Sequence, residues 1–364
     1  MEPSHTPKKT AAQPMRRREF LLAAAAAALS SKYLPAQSSP PRPNPANSTP
    51  LPKSLLTPNA DFFIRNHFKT PTINEEKWTL EIGGAVANPI KFSYSDLLLA
   101  SSVRRPLTTE CAGNLSGGAG VGTAIWSGLP LADLLKQAGI QPKATTIIFH
   151  GADAGDAEGM PPGTHYARAI PLDKAMDGST LLAYEMNGAP LPLEHGFPLR
   201  ALVSGWYGMD SVKWLTHIEV SQEPFQGYFQ QQYYVALKAN GAREIITRMR
   251  VNSKFLRPID AEEIRSTTYQ IEGVAWAGEA KIAKVELRFD QSGPWQPAEL
   301  AQSPTPLVWT PWSFPWKIPQ PRPYKIEVRA TDDQGNSQPL SRDPDRKDDY
   351  ELNTPHHITV TARS

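Results

Sequence analysis

Thr108-Thr109-Glu110-Cys111-Ala112-Gly113-Asn114 holds the single cysteine of a 364-residue chain, and the reading of that thiol decides what kind of protein this is. The small residues after it let backbone approach a bulky group closely. One cysteine can form no internal disulfide, so Cys111 is a buried inert thiol, a bridge to a second chain, or a ligand. As a ligand, its thiolate needs a cation to hold it deprotonated, and a metal does so outright. Zinc and iron–sulfur sites draw several Cys or His ligands. A metal on Cys111 must therefore take its other ligands from a cofactor.

Outward from this segment the chain divides by texture. Trp78-Thr79-Leu80-Glu81-Ile82 and Thr145-Thr146-Ile147-Ile148-Phe149 read as strands, while Ser95 to Ala100 and Pro130 to Ala138 read as short helices. The second helix is opened by a proline and closed by Gly139. This mixture predicts an α+β domain over 59–254. From about Leu256 the strand signals become evenly spaced: Tyr269 to Val274, Ile282 to Phe289 in strict alternation, Tyr324 to Arg329, and His357 to Val360. Gly, Pro, Asp and Asn separate them, which predicts an all-β sandwich similar to an immunoglobulin-like domain over 255–364. Leu115 to Gly122 is glycine-rich but lacks the Lys-Ser/Thr of a phosphate loop.

Before the folded region, Pro35 to Pro58 carries eight of the chain's 36 prolines among Ser, Asn and Gln, the composition of an extended tether with the fold beginning near Asp61. Ahead of it, Arg16-Arg17-Arg18-Glu19-Phe20-Leu21-Leu22 precedes an alanine run that ends near Leu29, too short for a membrane span of about 20 residues. This resembles a twin-arginine export signal over 1–36, cleaved after Ala36, with 37–58 as linker. Such signals carry proteins folded around a cofactor, which predicts a periplasmic location. The composition, 40% hydrophobic and 20% charged with a formal net charge of +2, is that of a globular protein and too neutral to suggest a nucleic-acid partner.

Glu110-Cys111-Ala112-Gly113-Asn114 resembles the cysteine signature of the sulfite oxidase family of molybdopterin enzymes, and further segments agree in order. Phe63-Ile64-Arg65-Asn66-His67 resembles the family's Arg-Asn-His element. Leu182 to Gly188 is similar too, as are His195-Gly196-Phe197-Pro198-Leu199-Arg200, Val212-Lys213-Trp214-Leu215 and the stretch from Gln226 to Tyr234. Singly, His195 and Arg200 read as a surface pair and Lys213 as a solvated strand residue; their joint order points to the family. The resemblance implies a molybdopterin-binding domain of the sulfite oxidase fold followed by a dimerisation domain, and hence a homodimer. It implies Cys111 as metal ligand and Tyr234, chosen over Tyr233 by its spacing from Gln230, as donor to the metal's oxygen ligand. Phe63, Arg65, Asn66, His67, Asp153, His195, Arg200, Ser211, Val212 and Lys213 form the implied cradle, with Arg65 also facing substrate.

The departures concern substrate. Sulfite-oxidising relatives follow the cysteine motif with arginines where this chain has Leu115-Ser116-Gly117-Gly118, and carry a late arginine near Pro355-His356-His357. A dianion is held by several cationic donors, so weak sulfite activity is expected unless His356 or His357 supplies charge when protonated. The reading that follows is a molybdenum oxidoreductase moving an oxygen atom between water and a sulfur oxyanion. Without a Cys-x-x-Cys-His haem attachment in the sequence, electrons pass to an external carrier such as a c-type cytochrome. A sulfoxide-type reductase with the same cofactor and a non-catalytic exported protein retaining the fold are the alternatives; a small-metal hydrolase is disfavoured by the absence of a clustered His/Asp/Glu motif.

Overall fold

Strand Val103–Glu110 delivers Cys111 to the end of a sheet, and the rest of the first domain is arranged around that point. A computed structural model describes residues 55–156 and 159–363. The export signal and the tether as far as residue 54 lie outside the described residues.

Two sheets make up the first domain. One is a mixed five-stranded sheet in the order Ile90–Ser93, Thr79–Gly84, Leu215–Ser221, Thr146–Gly155, Thr164–Pro171; its only parallel pair joins Thr79–Gly84 to Leu215–Ser221. The other runs Val103–Glu110, Val121–Pro130, Leu181–Met186, Ala189–Pro190, with Arg200–Leu202 also pairing on Leu181–Met186. Val121–Pro130 is buried along nearly its whole length, as befits a strand covered on both faces. Leu107, Ala124, Trp126, Leu181, Ala183 and Met186 pack into one core with Phe62.

Among the described residues helical content is small, with three short α-helices. Ser93 caps Tyr94–Leu99 through a capping box with Asp96. Leu131–Ala138 buries Leu131, Leu134, Leu135 and Ala138 on one face and stops at Gly139, whose φ of 70° is the left-handed conformation that glycine adopts without strain. Leu172–Met176 is the third. The domain is thus richer in strand than an even α+β mixture.

The second domain is two facing sheets around one core. Asn252–Arg257, Thr268–Trp276, Thr310–Lys317 and Glu299–Leu300 form one; Glu263–Ile264, His356–Ala362, Pro323–Asp332, Ile282–Phe289 and Gln296–Pro297 form the other. Ile271 and Trp312 from the first meet Val285, Leu287, Ile326, Val328 and Val360 from the second. Alternation in Ile282–Phe289 places Val285 and Leu287 inward, and the observed strand has the bounds that the alternation predicts.

Two expected boundaries move. The folded body includes residues 55–58, because Thr57 donates to the Thr123 carbonyl at 2.8 Å, Asn187 Nδ2 donates to Thr57 O and the Trp309 indole donates to Leu55 O. The division at 254/255 falls inside a strand: Asn252, Ser253 and Lys254 pair with Trp276, Ala275 and Val274, so the second domain starts by Asn252. All described residues belong to one compact unit, and among them no helix is long and apolar enough to cross a membrane.

Candidate active site

Cys111 lines a cavity together with Phe62, Phe63, Arg65, Asn66, His67, Asp153, Tyr166, Glu194, His195, Arg200, Ser211, Lys213 and Tyr234 among others. Of the residues implied as metal ligand, cradle or hydroxyl donor, all but one line this cavity. Val212 does not; its side chain is buried, with its carbonyl accepting from Ala201, while its neighbours Ser211 and Lys213 are the ones that face in.

The cysteine loop is held from within. Cys111 N donates to Gly120 O at 2.8 Å and accepts, at its own carbonyl, the amide of Asn114. Asn114 Oδ1 accepts from Gly120 N at 2.9 Å, and a Cβ on Gly120 would lie 2.8 Å from that oxygen, too close for any other residue. Glu110 anchors the other side of the loop, accepting from Asn114 Nδ2, Asn252 Nδ2 and Trp276 Nε1. Two of those donors belong to the second domain, so this buried carboxylate ties the thiol's loop to the sandwich. Burial raises Glu110 to about 7 despite the three donors. Burial also pushes the Cys111 thiol up, the Gly113 amide and Arg65 offsetting part of the shift, so the sulfur keeps its proton unless a stronger cation displaces it.

The Tyr234 hydroxyl shares a hydrogen bond with His67 Nε2 at 2.8 Å, and the residue is 3% exposed. Burial, then Arg65, Lys213 and Arg168, hold His67 down at about 3, so the ring is neutral and bonds the hydroxyl without charge. Tyr233, one residue earlier, does not line the cavity; its hydroxyl is 3.5 Å from Arg65 Nη2. A π-helical turn over Phe229–Tyr233 creates this division. Arg168 fixes the turn from beneath: fully buried, it pairs with Asp210 at 2.8 Å, donates to the Phe229 carbonyl, and lies 5.5 Å from the centre of the Tyr234 ring.

At the buried end, Arg200 donates to His195 O at 3.1 Å and Ser211 O at 3.2 Å, and His195 Nε2 lies 2.9 Å from Asn59 O. Lys213 Nζ donates to Asn66 Oδ1 and to Glu194 O. Burial, then Arg200, lowers Lys213 to about 7. Burial raises Asp153 to about 6.

The expected late positive charge is not there. His356 is outside the cavity; its ring occupies the space beside Gly117 that a Cβ would need, and its Nδ1 accepts the Phe255 amide at 3.2 Å. Burial, then His357 and Lys254, bring it down to about 4, so it stays neutral across the ordinary imidazole range. His357 is exposed on its strand, paired across from Glu327. Ser116 donates to the Thr354 carbonyl at 2.8 Å, so the segment that replaces the expected arginines docks on the second domain instead of facing the cavity.

Residues 67–229 match the family model of the oxidoreductase molybdopterin binding domain, and residues 243–345 that of the Mo-co oxidoreductase dimerisation domain. The chain belongs to the sulfite oxidase family of molybdopterin-dependent oxidoreductases. It is 35% identical over 340 residues to the mitochondrial sulfite oxidase of Drosophila melanogaster and 34% identical over 335 residues to that of Homo sapiens. Each match takes 81% of this chain and 58% and 60% of the relative, so the chain spans about three-fifths of their length. The NADH nitrate reductase 1 of Arabidopsis thaliana is 30% identical over 80% of this chain and 37% of its own. Among solved structures, the sulfane dehydrogenase SoxCD of Paracoccus pantotrophus shares the fold, with a TM-score of 0.74, 24% identity, and coverage of 85% of this chain and 84% of that one.

Molybdopterin is the cofactor of this family, and the cavity's donor set suits it. Arg200 Nε and Asp153 Oδ1 are buried without a partner, a donor and an acceptor both at the cavity wall. An unsatisfied buried polar atom costs about 1–3 kcal/mol, so both are explained by a ligand that pairs them. Arg200 and Lys213 suit an anionic phosphate, Asp153 an N–H edge, and Cys111 a soft metal.

Several contributors escaped the sequence reading. Arg168 left a signal, a lone charge in the apolar run Tyr166-Ala167-Arg168-Ala169-Ile170. Glu194, which accepts from Asn66 and Thr70, sits beside the recognised His195. Tyr350, whose ring centre is 5.3 Å from that of Tyr234, left none.

Proposed function

We propose that this protein oxidises a sulfur oxyanion, with sulfite as the reference substrate. The substrate gains an oxygen from water and releases two electrons and two protons, and the electrons leave singly to an external carrier such as a c-type cytochrome. The observation that carries this reading is the convergence of Cys111, Arg65 and the Tyr234–His67 pair with Arg200, Lys213 and Asp153 on one cavity. Molybdopterin, when bound there, supplies a two-electron redox centre. Cys111 is the protein's own ligand to its metal; Phe63, Asn66, His195 and Ser211 complete the cradle. Arg65 draws the anion to the mouth, and Tyr234, its hydroxyl oriented by neutral His67, would offer a hydrogen bond to an oxygen of the bound substrate.

Purified, molybdenum-loaded protein turning over sulfite with an artificial one-electron acceptor tests this. Turnover is expected with a weak Michaelis constant, because among the described residues Arg65 is the one exposed cation lining the cavity. If sulfite is inert while a sulfoxide is reduced by a reduced dye, the reductase alternative stands in its place.

The same reading takes residues 1–36 as a twin-arginine signal for the periplasm, the chain after it as a linker to the folded body, and that body as far as Asn252 as the catalytic domain. It takes the chain from Asn252 onward as an immunoglobulin-like domain that pairs two copies; the match to a dimerisation domain supports the pairing. Replacing Arg17-Arg18 by Lys-Lys and fractionating the cells tests the location: unaltered export removes it.

A further inference from the structure

On the mixed five-stranded sheet, His217 stands directly across from His150 in the antiparallel ladder, and Glu219 follows two residues on. Side chains two apart on a strand share a face, as do direct cross-strand partners. The three therefore project from one face, and their ligand atoms all lie within 4.8 Å of one another. His150 Nε2 is 3.5 Å from Glu219 Oε2, too long for a good hydrogen bond, and that nitrogen is buried with no hydrogen-bond partner. Metal–ligand bonds of about 2.0–2.1 Å in a tetrahedron set ligand atoms about 3.3 Å apart, so this pair already has the spacing of two ligands. On the neighbouring strand, Gly83 stands beside Glu219 in the ladder and leaves space against the His217 ring, which a Cβ there would touch at 3.6 Å. All three side chains are half-buried, close enough to solvent for an ion to enter.

We propose that His150, His217 and Glu219 bind one divalent transition-metal ion, Zn2+ by the chemistry of the donors, and that the ion pins strand Thr146–Gly155 to strand Leu215–Ser221. Two imidazoles and one carboxylate are a zinc donor set, with water completing the tetrahedron. Calcium and magnesium, which take oxygen ligands, are poorly served by it. The position gives the clamp a consequence. Asp153, three residues beyond His150, and Lys213, four residues before His217, are cavity residues carried by the same two stretches of chain. A register shift separates Leu215 from His217, so this is where the ladder is least regular and a cross-strand ligand has most to hold.

The test uses full-length, molybdenum-loaded protein, so that Cys111 is engaged, stripped of zinc with a chelator. The protein is then given ZnSO4, desalted, and measured for zinc, molybdenum and melting temperature. One zinc per chain and a raised melting temperature are expected. Glu219→Gln and His217→Ala should each weaken zinc binding at least about tenfold, with molybdenum content unchanged. No retained zinc at tenfold excess, or retention equal in both variants and wild type, overturns the proposal. Should His217→Ala fail to fold, Glu219→Gln alters only a half-exposed carboxylate, and zinc-edge X-ray absorption on wild type decides: imidazole scattering supports the site and an all-oxygen shell refutes it.

Discussion

At the buried end of the cavity Arg200 is 6% exposed and gives two of its N–H groups to the carbonyls of His195 and Ser211. At the mouth, Arg65 is exposed and reaches only the Asn66 carbonyl and the Tyr233 hydroxyl, each at 3.5 Å. The same side chain is thus used in two ways. A guanidinium fixed and desolvated in advance suits a ligand that stays, because little ordering remains to be done on binding. A hydrated, loosely held one suits an anion that arrives and leaves each turnover. The Cys111–Tyr234 pair lies with the exposed arginine, and the Lys213–Asp153 pair with the buried one.

Removing the thiol strikes at what both ends serve. Cys111→Ser should leave a folded, cofactor-bearing protein whose turnover falls by more than about a hundredfold, since even outer-sphere changes at metal sites cost about 10–100-fold. Sulfite kinetics alongside molybdenum analysis and absorption spectra check this; unchanged metal spectra would remove Cys111 from the coordination sphere.

A paired substitution separates the two ends. Arg200→Met should lower cofactor retained after desalting, because each charge-assisted bond is worth about 1.5–3 kcal/mol and tenfold in affinity is about 1.4 kcal/mol. Arg65→Met should keep the cofactor and raise the Michaelis constant for sulfite by about 10–100-fold on the same scale. If both lose cofactor alike, the division into anchor and mouth is wrong.

A smaller effect follows from Lys213. Its pKa in the fold, about 7, lies below the ordinary lysine value, so the unfolded chain binds more protons between the two. Stability of cofactor-free protein should therefore rise as pH goes from about 7 towards the lysine range. Melting curves over that interval should show the rise, and Lys213→Met should flatten it.

The smallest effect is expected at His356. Held near 4 and turned into the Gly117 loop, it contributes no charge to the mouth. The pH profiles of the sulfite Michaelis constant for wild type and His356→Gln should superimpose through the imidazole range. A divergence there would restore the histidine as a substrate contact.

Much of this molecule could be read from its order of residues. Pro130 and Gly139 bound a helix, strict alternation from Ile282 to Phe289 sets a strand, and Cys111, Arg65, His195, Arg200 and Lys213 fall in motifs that converge on one cavity. These are signals of local periodicity or of short spacing, and a linear chain carries them directly. The remainder depends on how distant segments close on one another. Tyr234 faces the cavity and Tyr233 does not, because Arg168, 66 residues earlier, holds the π-turn between them. Glu110 is a domain junction only because Asn252 and Trp276 fold over it. His356 has the charge-bearing chemistry expected of it, but packing buries it against Phe255 and the proton is lost. His150, His217 and Glu219 show no clustered motif in sequence, and only the register of two antiparallel strands brings them together. Register and burial are fixed by the closing of the whole sheet and core, which no single stretch of the chain encodes.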